Sequence, residues 1–79
     1  MQEFEVRLRS VQEVQEFVAM ATERPFPVSI GDGSYDANAK CFMEMFCLDF
    51  TRALKVRVEC SYEEFLKFWA AAGRFVVRK

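Results

Sequence analysis

The sequence predicts an α+β domain in which four strands form one antiparallel sheet and three helices cover one of its two faces. Residues 3–9 and 54–60 each alternate apolar and charged side chains, which is typical of a strand with one buried face and one wetted face. Because the charged faces must stay in water, the helices can pack only on the other side. The result is an open-faced two-layer sandwich with the element order βαββαβα. The chain has 79 residues and 52% hydrophobic content, which is enough for a single domain over residues 1–79.

The first helix follows the first strand almost directly. At Ser10 the apolar period changes from two to that of a helix, and Ser10 with Glu13 forms a capping-box pattern. In such a box the serine hydroxyl accepts from the Glu13 amide while the Glu13 carboxylate reaches back. The helix is predicted to stop near Arg24-Pro25, since proline cannot continue it. The expected buried stripe consists of Val11, Val14, Phe17, Val18 and Ala21.

Two short strands follow, joined by a tight turn. Residues 26–30 alternate again, and Pro27 should lie at a strand start because it donates no hydrogen bond. Gly31-Asp32-Gly33 contains an Asp-Gly turn signal. Residues 34–38 are predicted to form the return strand, with Tyr35 and Ala37 on one face.

Residues 38–49 form a short helix candidate that is apolar nearly all round, with Glu44 breaking the run. At 100° per residue, Cys41, Met45 and Leu48 share one face, which we expect to pack on the sheet. The opposite face carries Phe42, Met43, Phe46 and Cys47. Two phenylalanines and a methionine in water are unusual, so this face is predicted to be a docking surface.

The last strand and helix are the clearest elements of the chain. Residues 54–60 alternate strictly, and Ser61 with Glu64 forms a second capping box. The helix is predicted to end at Gly73 in the C′ position. Its expected buried stripe consists of Tyr62, Phe65, Leu66, Trp69 and Ala72. The tail, residues 74–79, has strand propensity and no evident cover, so it could add to an exposed sheet edge of its own or of a neighbouring chain.

Composition excludes several classes of function. The net charge of −1 and the pI of about 5.4 argue against nucleic acid or an anionic membrane as partner. No secretion signal or long apolar run is present, so we expect a cytoplasmic protein. Three cysteines without CxxC spacing predict reduced thiols and neither a metal site nor a cofactor. The absence of histidine removes histidine-based acid–base catalysis, metal ligation and phosphohistidine chemistry.

The element order and the segment NAKCFMEMFCLD together resemble the HPr family, the histidine-containing phosphocarriers of the bacterial sugar phosphotransferase system. The family motif at the second helix has Asn or Asp, then Lys-Ser, a hydrophobic residue, Met-Gly and a later Leu. Asn38, Lys40, Met43 and Leu48 match it. The resemblance covers nearly the whole chain and implies an HPr-like open-faced β-sandwich with strand order 1-4-2-3.

The departures from the family fall on its active residues. In the family the first helix begins with His-Ala-Arg-Pro, where the histidine accepts phosphate and the arginine helps to hold it. Aligned on the family pattern, this sequence has Ser10 at the position of that histidine, Gln12 at the arginine and Glu13 at the proline. The regulatory serine that opens the second helix in some members is Cys41, and Glu44 replaces the usual glycine. The resemblance therefore implies a degenerate member that lacks both phosphoacceptors.

Two of these residues have a chemical and a structural interpretation. A phosphate ester on Ser10 would lack the transfer potential of phosphohistidine, so an N-cap role that stabilises by about 1 kcal/mol is favoured. Cys41 lies beside Lys40 at the start of a helix, and both features favour a thiolate, whereas burial on the sheet would oppose it. A structural role is favoured for Cys41, and Cys47 and Cys60 are predicted to be packing residues.

The leading hypothesis is a protein-binding module of the HPr type, not an enzyme, that regulates through its second helix. In the family the exposed apolar side chains of this helix dock on protein partners, and here Phe42, Met43 and Phe46 hold those positions. The alternatives are a thiol-based enzyme or redox-responsive protein using Cys41, or a diverged phosphocarrier kept only as a folded module. A weak homodimer through the second helix or the tail is also expected.

Overall fold

The computed structural model of the protein describes residues 2–77 and has the predicted element order. The strands are β1 (Gln2–Val6), β2 (Val28–Gly31), β3 (Asp36–Asn38) and β4 (Leu54–Val58). The helices are α1 (Val11–Thr22), α2 (Phe42–Met45) and α3 (Tyr62–Ala71). The strands form one sheet in the order β1-β4-β2-β3, and every neighbouring pair is antiparallel. The predicted fold class and strand order are both confirmed.

The pleat of the central strand separates the two faces of the sheet. Leu54, Val56 and Val58 are completely buried, whereas the intervening Lys55 and Arg57 are exposed. Glu3 lies opposite Arg57 in the β1–β4 register, and the Arg57 Nε is 2.9 Å from the Glu3 carboxylate. An exposed cross-strand pair of this kind contributes only a few tenths of a kcal/mol. The burial of alternate residues on β4 is what commits the helices to one side.

An aromatic cluster fills the space between the sheet and the helices. Phe17 on α1 and Phe68 on α3 are both completely buried, with ring centroids 5.9 Å apart. Phe4 and Phe26 pack edge-to-face on the Phe68 ring at 5.9 and 6.2 Å. Such pairs add roughly 0.5–1.5 kcal/mol each to the burial of apolar area. Phe68 is therefore the point where α3, β1 and the loop before β2 meet.

Both helix caps predicted from serine are present. Ser61 accepts from the Glu64 amide at 3.2 Å, and the Glu64 carboxylate accepts from the Ser61 amide at 3.3 Å, which completes the box. Ser10 likewise accepts from the Glu13 amide at 3.1 Å. The Glu13 carboxylate, however, accepts from the Arg9 amide at 2.7 Å, one residue before the cap. Both helices therefore start where the sequence places them.

The buried stripe of α3 was predicted only in part: Ala72 is buried and Phe65 packs against the core, whereas the other three residues are exposed. Tyr62, Leu66 and Trp69 are 63%, 42% and 37% exposed, whereas Phe68, absent from the predicted stripe, is completely buried. Counted at 100° per residue, the side of α3 that faces the core lies roughly a quarter turn around the helix from the predicted side. Val11, expected in the stripe of α1, is also exposed at 57%. Apolar residues cover more of each helix than the sheet can bury, so the pattern does not fix the rotation.

The tail adds to an edge of its own sheet, which is one of the two alternatives predicted for it, and this pairing covers it. Phe75 is only 3% exposed and packs edge-to-face on Phe17 at 6.3 Å. The Arg7 amide donates to the Phe75 carbonyl at 2.8 Å, and the Val77 amide donates to the Glu5 carbonyl at 2.9 Å. Val76 forms an antiparallel bridge with Val6, so the tail pairs with the free edge of β1 in its own sheet. The last two residues of the predicted tail, Arg78 and Lys79, lie outside the described residues.

Candidate functional site

The start of α1 and the outer side of α2 together form an exposed apolar surface. The two helices are in contact, and a groove of about 230 Å³ runs between them. Residues 8–11 and Val14 line one side of the groove, and Phe46 and Phe50 line the other. We call the side chains of Val11, Phe42, Met43, Phe46 and Phe50 the α1–α2 surface.

The α2 helix is shorter than predicted because only residues 42–45 are helical. Cys41 is its N-cap, and Phe46 is its C-cap. Beyond the helix, the Cys47 amide donates to Glu44 and the Leu48 amide to Met45, both over three residues, so the chain continues as tight turns. Met45 and Leu48 are buried, which confirms the predicted sheet-facing side.

Polar side chains hold α2 in this position. The Asn38 side chain accepts from the Lys40 amide at 2.9 Å, and the Glu44 carboxylate accepts from the Asn38 amide at 3.2 Å. Glu44 therefore ties the helix back to the end of β3. The sequence placed Asn38 in the motif but gave no indication of this bond, since it joins residues six apart across a turn.

Two of the three predicted docking residues are exposed and the third is partly covered. Met43 is 77% exposed and Phe46 is 48% exposed, whereas Phe42 is half-buried and packs against the core. The Phe42 and Phe46 rings meet edge-to-face with centroids 4.7 Å apart. Phe42 is therefore less exposed than expected of an outward contact residue. Its ring packs both on the core and on the ring of Phe46. Val11 and Phe50 were not predicted as site residues.

The first turn of α1 holds Ser10 as a cap and offers little for phosphate. The Ser10 hydroxyl oxygen accepts from the Glu13 amide, and the Glu13 carboxylate is bonded to the Arg9 amide. Gln12 is exposed in the same turn. The chain contains no histidine that could activate the hydroxyl. The groove beside Ser10 is apolar along most of its walls, so its chemistry is that of a contact surface.

Cys41 lies away from this groove and has lost one of its expected activating groups. Its side chain is half-buried and makes no capping hydrogen bond to α2. The Lys40 ammonium donates to the Arg24 carbonyl at 2.6 Å, beyond the end of α1, and is not free to stabilise a Cys41 thiolate. The structure does not bring Cys41 together with Ser10 and Gln12.

The other two cysteines differ from each other. Cys60 is half-buried against the core, and this burial raises the pKa of its thiol, as expected for a packing residue. Cys47 is exposed, so the prediction that it packs in the interior is wrong. Cys47 lies in the turn that follows α2 and is not part of the sheet.

A polar contact between Tyr35 and Glu44 flanks α2 on the side of the cysteines. The Glu44 carboxylate lies close enough to the Tyr35 hydroxyl for its negative charge to act on that group. Partial desolvation, followed by the negative charge of Glu44, raises the pKa of Tyr35. Tyr35 was expected on the same face as the buried Ala37, but 41% of its surface is exposed. It immediately precedes β3, at the end of the turn.

Asp32 joins the β2–β3 turn to the loop that follows α2. Its carboxylate accepts from the Ser34 and Tyr35 amides at 2.8 and 2.9 Å, and from the Asp49 amide at 2.9 Å. These bonds, the Ser34 bond first, hold the pKa of Asp32 below its ordinary value. The Asp-Gly signal predicted the turn, and Gly33 adopts a φ of 97° there. The hydrogen bond from the Asp49 amide to Asp32 depends on the tertiary fold, so no local sequence pattern indicates it.

The described residues contain neither a helix that could span a membrane nor a cluster of metal ligands. None of the helices within residues 2–77 combines the length and the apolar character needed to cross a bilayer. No three His, Cys, Asp or Glu side chains within that range are grouped in a way that would hold a metal ion.

Comparison with known proteins identifies the fold. The chain matches no family model and no curated protein sequence. Among solved structures, it is similar to the crystal structure of HPr-C-His from Thermoanaerobacter tengcongensis, with a TM-score of 0.74. The match covers 91% of this chain and 90% of that one at 19% sequence identity. The fold is therefore HPr-like, as the element order and the motif at α2 had predicted.

Proposed function

We propose that the protein is a diverged relative of the HPr phosphocarriers that acts by binding another protein and does not transfer phosphate. In this proposal it is a cytoplasmic regulatory module, connected with carbohydrate uptake or recruited to another system. The supporting observation is the α1–α2 surface itself. An apolar groove and the exposed Met43 and Phe46 side chains lie beside Ser10, which serves as a helix cap and which the resemblance aligns with the family histidine.

The physical argument for a contact surface is the cost of leaving it in water. Met43 exposes 77% of its surface and Phe46 exposes 48%, and both lie next to Val11, which is 57% exposed. Burying apolar area yields about 25 cal/mol per Å², and an aromatic side chain beside a groove is typical of an interface anchor. No comparable role follows for Ser10 or Gln12, which offer only hydrogen-bonding groups at the rim.

The first experiment tests the lack of phosphate transfer. The protein is incubated with radiolabelled phosphoenolpyruvate and the general enzyme of a bacterial phosphotransferase system, with an active HPr as positive control. We expect no acid-labile phosphate on this chain, because a serine ester would be acid-stable and no histidine is available. Stoichiometric acid-labile phosphate would refute the proposal.

The second experiment tests the surface. Isotope-labelled protein is titrated with the same general enzyme, and backbone resonances are followed by NMR. We expect shifts in residues 8–14 and 42–50 and their loss in the Phe46→Asp variant. The control is Ser29→Asp on β2, which introduces the same charge on the open face of the sheet, away from the α1–α2 surface and from the exposed apolar side of α3. Binding mapped to the charged face of the sheet, or binding that survives Phe46→Asp, would contradict the proposed surface.

Two other hypotheses compete with this one. A thiol-based function of Cys41 is weakened because the Lys40 ammonium is bonded to the Arg24 carbonyl. A folded module without a partner predicts that no protein shifts the resonances of the α1–α2 surface. The general enzyme is the first probe because it is the common partner of the resembled family.

A further inference from the structure

A second exposed apolar face lies on α3, at the other side of the molecule. Tyr62, Leu66 and Trp69, which we call the α3 stripe, follow one another at spacings of four and three and therefore share one side of the helix. All three are exposed, although the core-facing side of the same helix is occupied by Phe68. α3 packs over β1, whereas α2 contacts β3 at the opposite edge of the sheet. The α3 stripe is thus separate from the α1–α2 surface.

We propose that the α3 stripe binds the α3 stripe of a second copy of the chain, in an antiparallel pair related by a two-fold axis near Leu66. The charges beside the stripe point to this occupant. Glu63 and Lys67 are both exposed and lie on the same flank of the helix, one turn apart. In an antiparallel pair related by such an axis, the same flanks of the two helices adjoin each other.

The positions along the helix fit this arrangement. With the axis near Leu66, Tyr62 of each copy lies over Trp69 of the other, and Glu63 lies beside Lys67 of the other. Each contact occurs twice because the interface is isologous. The flank also carries Ala70, whose small side chain permits close approach of the helices. A partner without opposite charges at these two positions would gain no ion pair across the interface at the rim.

The size of the stripe sets the strength of the association. Three partly exposed side chains and their flanks bury less than about 1,200 Å² in total from both copies, which is the range of weak complexes. We therefore expect a reversible dimer that forms between micromolar and millimolar concentrations. This dimer would replace the one expected from the tail, which is paired with β1 in its own chain.

The test uses charge exchange, because the pairs are reciprocal. In Glu63→Lys both cross-copy contacts become lysine against lysine, and in Lys67→Glu both become glutamate against glutamate. Each variant alone should dimerise roughly tenfold more weakly than the parent. A one-to-one mixture should recover the parent affinity, since both contacts are then between opposite charges. Sedimentation velocity over a concentration series measures all four samples.

Controls separate the interface from general effects of charge and of folding. Asp36→Lys on β3 makes the same charge change as Glu63→Lys at the other edge of the sheet and should leave the dimer unchanged. Met43→Asp on α2 should also leave it unchanged, while Leu66→Asp should abolish it. Trp69 is the one tryptophan of the chain, so its emission should shift to the blue as the parent dimer forms.

Several outcomes would overturn the proposal. The first is a parent protein that stays monomeric up to millimolar concentration. The second is a mixture of the two charge variants that associates no more tightly than either variant alone. The third is a dimer that Met43→Asp weakens and Leu66→Asp does not. Because the charge variants change only exposed side chains, a failure of Leu66→Asp to fold does not affect the result.

Discussion

Replacing Phe75 with alanine tests whether the C-terminal segment belongs to the core. Phe75 is 3% exposed, packs on Phe17 and lies under the Arg74 guanidinium, 4.6 Å from the centre of its ring. Removing a buried phenylalanine side chain costs about 3–5 kcal/mol. A domain of 79 residues has a total unfolding free energy of roughly 4–12 kcal/mol, so the loss would be a large part of it.

The matched control is Phe46→Ala, which removes the same atoms from a side chain that is 48% exposed. We expect this variant to lose less than about 1 kcal/mol. Urea titrations followed by circular dichroism give both free energies, and thermal melts should show Phe75→Ala melting roughly 20–30 °C below the parent. If the two variants differ by less than about 1 kcal/mol, Phe75 does not contribute to the core and the pairing of the tail with β1 is wrong.

Two further predictions concern the loops around α2. Asp32→Asn should lower stability at neutral pH and not in acid: because folding lowers the pKa of Asp32, its contribution is complete above about pH 4 and is lost as the pH falls through the folded value. Urea midpoints of parent and variant near pH 6 should therefore differ, and near pH 2.5 they should converge; an equal gap at both would contradict the assignment. Timed alkylation with mass mapping should modify the exposed Cys47 first and Cys60 last. Rapid modification of Cys41 below about pH 6 would instead support the thiol hypothesis.

The sequence predicted the sheet well because alternation is a local signal. Residues on β4 alternate strictly, and the burial of Leu54, Val56 and Val58 follows directly from it. The two serine caps are local as well, since each bond spans three residues. The strand order needed the resemblance to the HPr family, because no feature of β2 or β3 alone says which edge they join.

What the sequence did not predict depends on rotation and on distant contacts. The apolar residues of α3 cover too wide an arc for one face, so the choice between Leu66 and Phe68 as the buried residue is made by the aromatic cluster around Phe17. The tail has strand propensity, but its pairing with β1 is visible only when Val6 and Val76 are brought together. For the same reason, the sequence did not identify Val11 as a site residue. The structure does so because Val11 and Phe46 line the same groove.

The position of β1 in the sheet has a consequence for how the protein is made. β1 lies between β4 and the C-terminal segment: Gln2 pairs with Val58 on one side and Val6 with Val76 on the other. The ribosome therefore releases β1 before either of its neighbours. Contacts between residues so distant in sequence form slowly, so the apolar face of β1 stays exposed to water until both neighbours are available. A nascent chain in which Phe75 is still inside the exit tunnel would hold β1 by one edge at most, so the domain should acquire its full resistance to proteolysis only after that residue has emerged.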